Sequence, residues 1–170
     1  MDDGSEDQDY DDFETMPATV RLNDIVDALE TQVDEFSCFL NRDTGRVETV
    51  SDDLLHLAEE PGEAGEADRS EWQREEWETA KRIVSTGCFL RLPTKFDVHE
   101  WDIMRNFSRT VEADNIREDL LSAIHRSGAF RMFKNTVREH GIESVWFEFR
   151  TDALRKIALD WCEEHKLAWE

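Results

Sequence analysis

Apolar residues recur every three or four positions along most of this chain and every two positions in one short stretch. RLNDIVDALETQ (21–32) sets Leu22, Ile25, Val26 and Leu29 on one helical stripe, with Asn23 or Asp24 near its start. The period changes in FSCFLNRDTGRVETV (36–50), where Phe36, Cys38 and Leu40 alternate with Ser37 and Phe39. Asn41 to Gly45 supplies turn chemistry, and Val47, Thr49 and Val50 suit a strand. The stretch predicts a β-hairpin with a glycine at a positive φ. Ser51 then caps a short helix with acids in its first turn, stopped before Pro61.

Further helices follow. Ser70 and Gln73 form a capping box for a helix over 71–86 that ends at Gly87. Trp77, Ala80, Ile83 and Val84 share one face of it, and Trp72 falls roughly opposite. CFLRLP (88–93) reads as a short strand stopped by Pro93. Asp97 with Glu100 and Asn115 with Glu118 repeat the box pattern. The first precedes Val98, Trp101, Met104, Phe107 and Val111, and the second precedes Ile116, Leu120, Leu121 and Ile124. Ser127-Gly128 breaks that helix, and the next runs to Gly141 with Phe130, Phe133 and Val137 inward. ESVWFEFR (143–150) fits both periods, and a short helix is preferred. Thr151 or Asp152 caps a last helix bearing Leu154, Ile157, Ala158 and Trp161, and LAWE (167–170) suits a further strand. The sum is a mostly helical α+β domain over 18–170. It has an N-terminal β-hairpin joined by short strands near 88–92 and 166–169. Its core is C-terminal and aromatic, with Trp101, Trp146 and Trp161 buried.

Charge divides the chain differently. The net charge is −21 over 170 residues. Residues 1–15 hold eight acids and no base, and residues 51–80 hold eleven acids and two bases. Residues 81–170 hold fifteen of each. Residues 1–17 therefore read as a disordered acidic tail, and 59–70 as a mobile acidic loop. The longest apolar runs fall far short of the ~20 residues of a membrane span, and the acidic N-terminus does not resemble a secretory signal. Three widely spaced cysteines fit a reducing cytoplasm.

Catalytic signatures are sparse. The chain has no Gly-rich phosphate loop and no Gly-x-Ser-x-Gly. Cys38, Cys88 and Cys162 sit among apolar neighbours, which suits inert buried thiols. Cys162-x-x-His165 has ligand spacing but lacks a second pair, so no metal and no cofactor are expected. Binding surfaces are easier to find. Arg131, Lys134 and Arg138 stand at i, i+3 and i+7 on one helical flank, with Asn135 near and His125 and Arg126 just upstream. Guanidinium forks and an ammonium on one rigid flank suit phosphate. The plainer account is that they balance nearby acids. Trp72 and Phe147 lie off their helices' inward stripes, and an exposed Trp marks a contact site.

The order of the pieces resembles a known family. LNDIVDALE leads to FSCFLNRDTGRV and a Ser-Asp-Asp helix. FLRLPTKFDVHEWDIM, SGAFRMFKNTV and VWFEFRTDALRKIALDWCEEH follow. This succession is similar to the bacterial uncharacterised protein family 0158 over about residues 19–169. The resemblance implies a fold and a bacterial host and brings no catalytic residue with it. The expected function is a non-enzymatic, cytoplasmic protein-binding or adaptor module with a protein partner and no membrane. A phosphate- or RNA-binding module built on Arg131, Lys134 and Arg138 is the alternative.

Overall fold

The computed structural model describes residues 18–60 and 70–170. The tail expected over 1–17 and the loop expected over 59–70 lie outside them, apart from Glu59, Glu60 and Ser70.

Leu22, Ile25, Val26 and Leu29 are all buried along α1 (Leu22–Glu30), as their spacing requires. Arg21 is the N-cap, so neither Asn23 nor Asp24 serves, because both already lie inside the helix. The hairpin follows as β1 (Phe36–Asn41) and β2 (Val47–Ser51), paired antiparallel from Phe36↔Ser51 to Leu40↔Val47. Gly45 adopts φ 69°, and a Cβ there would meet the Thr19 carbonyl at 2.6 Å, so the turn needs glycine on both counts. Ser51 caps α2 (Asp52–Glu59) by accepting from the Leu54 amide, and the Ser70–Gln73 capping box opens α3 (Glu71–Ser85). On α3 only Trp77 and Ala80 are buried, while Val84 is exposed. β3 (Phe89–Arg91) then pairs antiparallel with β1, giving the order β2-β1-β3.

The capping box expected at Asp97 and Glu100 forms one turn earlier. Asp97 accepts from the Thr94 hydroxyl at 2.7 Å and the Thr94 amide at 2.8 Å, which starts α4 (Lys95–Val98). His99, at φ 49°, separates this turn from α5 (Glu100–Thr110). α6 (Asp114–Ile124) has Ala113 as N-cap and no side-chain cap, because Asn115 is already helical. There Arg117 donates to the Val111 carbonyl at 2.8 Å and pairs with Asp114. Gly128, at φ 72°, turns the chain into α7 (Ala129–Glu139).

The largest departure lies at the C-terminus. ESVWFEFR and the last expected helix are one uninterrupted α8 (Glu143–Glu164) of 22 residues. Trp146, Leu154, Ala158 and Cys162 are buried at multiples of four, and Arg150 occupies the missing place in that row. Arg150 donates to Glu100 at 2.6 Å, with side-chain exposures of 23% and 15%, and approaches Glu30 at 3.9 Å. Thr151 caps nothing and donates to Glu30 instead. After α8, Lys166 takes φ 55° and residues 168–170 pair with the segment before α1, through Val20 to Ala168, Leu22 to Glu170 and Glu170 to Val20. The strand expected near 166–169 is therefore a single parallel bridge to Val20 and does not extend the hairpin sheet.

The sheet has two unlike faces. Leu40 and Leu92 belong to the main core with α1, α5, α6, α7 and α8, and Cys38 and Leu90 pack against it. Phe107, Phe133, Trp146 and Phe149 lie at its centre, edge-on to one another at 4.8–6.1 Å. Val50, Trp77 and Ala80 are buried outside that core, where α2 and α3 pack on β2.

Two aromatic residues expected inside are not buried. Trp101 is 38% exposed, because its indole N–H donates to the Ile124 carbonyl and holds the ring on the α6–α7 corner. Phe130 is 45% exposed in the first turn of α7, whose buried face is Phe133, Thr136 and Val137.

Candidate binding surfaces

The cations of the expected basic flank lie where the spacing puts them. Arg131, Lys134, Asn135 and Arg138 are all exposed on α7, and Arg126 is exposed in the turn before it. Arg138 faces Glu143 at 3.4 Å, and the Lys134 ammonium sits 5.8 Å over the Phe130 ring. Among the described residues no ion pair involves Arg126, Arg131 or Lys134. The structure adds residues that helical spacing had assigned to the core or passed over. Trp101 presents an edge to His125 at 6.0 Å and lies 5.0 Å beneath the Arg105 guanidinium, which pairs with Asp102 at 2.8 Å. Through His125 and Ile124 this ring borders the same turn as Arg126. Trp72, 64% exposed, is elsewhere: α3 packs on α2 and β2, whereas α7 packs on α6 and α8. Phe147 is exposed as expected.

A second surface was not legible. Leu92 donates to the Cys38 carbonyl and Arg42 to that of Cys88. Antiparallel ladders alternate, so Leu90 faces Leu40 through paired bonds, while the N–H and C=O groups of Phe89 and Arg91 point away from β1. Among the described residues these groups have no hydrogen-bond partner. At the opposite edge of the sheet the Ser51 amide donates to Glu76 of α3 at 2.9 Å. The β2 edge is thus tied to α3 at one point and flanked by α2 and α3, whereas the outward groups of β3 at Phe89 and Arg91 are open. Beside the end of β3 runs a groove of about 630 Å³, lined by Leu92, Ile157 and Trp161, by the acids Asp97, Asp160 and Glu164, and by Arg91 and His165. Hydrogen bonds from the Thr94 hydroxyl and amide hold the Asp97 carboxyl below its ordinary pKa, so it keeps its charge. Asp160 shares its charge with Lys156 at 2.8 Å.

Other polar groups tie elements together. Arg91 donates to the Ser37 hydroxyl at 2.7 Å, which donates to Asp52 at 2.5 Å, linking β3, β1 and α2. Cys162 is fully buried, and burial pushes its thiol pKa up. Cys38 and Cys88, expected among apolar neighbours, are half-buried beside the Thr49 and Thr86 hydroxyls: strand pairing sets Thr49 opposite Cys38, and Thr86 lies two residues before Cys88. His165 turns Nδ1 to the Trp161 carbonyl at 2.8 Å. Among the described residues no group of His, Cys, Asp and Glu is placed to hold a metal ion, and no helix is long and apolar enough to cross a membrane.

No curated protein and no solved structure matches the chain. The model of one family does, described as an uncharacterised protein family (UPF0158), and it spans residues 15–169, nearly the whole chain. The match begins just ahead of Val20 and ends at Trp169, the two residues that bridge across the fold, and on that coverage the chain belongs to the uncharacterised protein family UPF0158.

Proposed function

We propose that the protein is a non-enzymatic protein-binding module of the bacterial cytoplasm, and that its partner lends an extended segment as a fourth strand along β3. The open edge at Phe89 and Arg91 carries this reading. Two unpaired N–H and two unpaired C=O groups offer a short ladder, and main-chain bonds of this kind hold a strand without regard to its sequence. Side chains supply the selectivity. Leu90 and Leu92 turn toward the main core, so one side of an added strand lies over Ile157 and Trp161 and wants an apolar residue. Asp97, Asp160 and Glu164 want Lys or Arg. The segment is therefore extended, basic and partly aliphatic. The free thiols Cys38, Cys88 and Cys162 support a reducing compartment.

The test is titration of the full chain with a capped peptide of alternating Lys and Val. Binding is expected. It should weaken about tenfold in Asp160→Asn/Glu164→Gln, a change of about 1.4 kcal/mol. It should vanish when alternate peptide amides are N-methylated, since that removes the ladder donors along one edge. An N-methylated peptide that binds as well as its parent, or a parent that does not bind, sinks the strand-addition reading.

A further inference from the structure

The α7 face lies on other elements than the β3 groove, and its chemistry is of another kind. We infer that it is a second binding surface, for single-stranded nucleic acid, with phosphates held by Arg126, Arg131 and Lys134 and bases stacked on Phe130 and the open part of Trp101.

Charge comes first. Where a cation merely balances the fold, an acid stands beside it, as Glu143 does for Arg138 and Asp102 for Arg105. Arg126, Arg131 and Lys134 have no such acid among the described residues, and all are exposed. They lie in the α6–α7 turn and the first half of α7, beside Phe130, and Trp101 touches the same turn through Ile124 and His125; a globular fold would ordinarily bury both rings. Phe130 is 45% exposed and Trp101 38%. Each ring already has a cation above it, Lys134 and Arg105 respectively. A flat ring beside an ammonium or guanidinium is the pairing that binds one nucleotide through its base and its phosphate together.

The combination separates partners. An acidic peptide would use the cations and leave both rings in water. A duplex keeps its bases stacked inside and offers them no face. A single strand uses both kinds of group. The net charge of −21 opposes any polyanion at long range, but charges separated by more than the Debye length, about 8 Å at physiological salt, are largely screened. The described acids of residues 51–80 belong to α2 and α3, which pack on β2, or, for Glu60, to the cap of α2, while α7 packs on α6 and α8.

The experiment titrates labelled oligouridylate into the full chain at several salt concentrations. Three phosphate contacts predict a slope of log affinity on log salt of about −2 for a single strand. Arg131→Ala/Lys134→Ala should flatten it to about −0.7. Phe130→Leu keeps the apolar bulk and removes the ring. It should leave the slope unchanged and weaken binding about fivefold or more. Asp160→Asn/Glu164→Gln should leave oligouridylate binding unaltered, which separates this surface from the β3 groove. Absence of binding at low salt overturns the inference. So does unchanged affinity in Phe130→Leu, or an oligoglutamate peptide that binds as tightly as the oligonucleotide.

Discussion

The two sides of the sheet are built by different means. Toward the C-terminal helices, Phe107, Phe133, Leu154 and Cys162 are sealed from water. Toward α2 and α3, α2 buries no residue and α3 buries Trp77 and Ala80. The apolar residues Leu57, Trp72 and Val84 of these helices remain exposed. Charge follows the same division. Residues 81–170 are neutral in sum, whereas residues 51–80 carry eleven acids against two bases. Tight packing suits the first region, where the aromatic cluster closes on itself. The second is held by caps, by the Arg82–Glu48 pair at 3.1 Å and by the Ser37–Asp52 hydrogen bond. A cooperative core therefore carries a lightly attached helical pair, and opening of that pair should come well before global unfolding.

The sharpest way to break this comparison is to empty the core. Phe133→Ala should cost ~3–5 kcal/mol in denaturant melts, because its ring contacts those of Phe107 and Trp146 and the site cannot collapse. Trp72→Ala should change stability by less than ~0.5 kcal/mol. Equal losses would mean that α3 is packed as tightly as α8. Next comes Arg150→Ala, which leaves the half-buried Glu100 without its cation and should cost ~2 kcal/mol. Arg82→Ala, which removes an exposed cation from a half-buried Glu48 on the hairpin, should cost under ~1 kcal/mol, and a double-mutant cycle with Glu48 should find little coupling. Native-state hydrogen exchange should show α2 and α3 amides exchanging through openings smaller than those of α8, and a shared opening energy would erase the distinction. The smallest effect concerns Asp97. Its pKa is lowered in the fold, so the stability it adds is present at neutral pH and is lost as pH falls through that lowered value. Asp97→Asn should flatten the acid limb of the stability curve slightly, and an unchanged limb would show that the Thr94 bonds do not persist in solution.

Much of this was legible locally. The α1 stripe, the hairpin with its Gly45 turn, the α3 capping box and the α7 flank are each written within one short window of the chain. What failed was long-range. Arg150 broke the apolar row of α8 on paper, and only Glu100, fifty residues away, shows why an arginine fits there. Trp101 had core spacing, yet the Ile124 carbonyl draws it outward. The bridge from Val20 to Trp169 leaves no periodic trace at either end. The β3 groove is assembled from a strand and a helix that are remote in sequence, so no window of the chain contains it.

That bridge has a consequence for biosynthesis. α1 packs on α8, and the Val20 and Leu22 amides are satisfied by residues 168 and 170. A ribosome delivers α1 near the start of this segment and its partners at the end. Leu22, Ile25, Val26 and Leu29 must therefore wait, wetted and available to other chains, until almost the whole segment has emerged. α1, made well before α8, is among the last of the described elements to dock, and in this interval a nascent-chain chaperone would find its target.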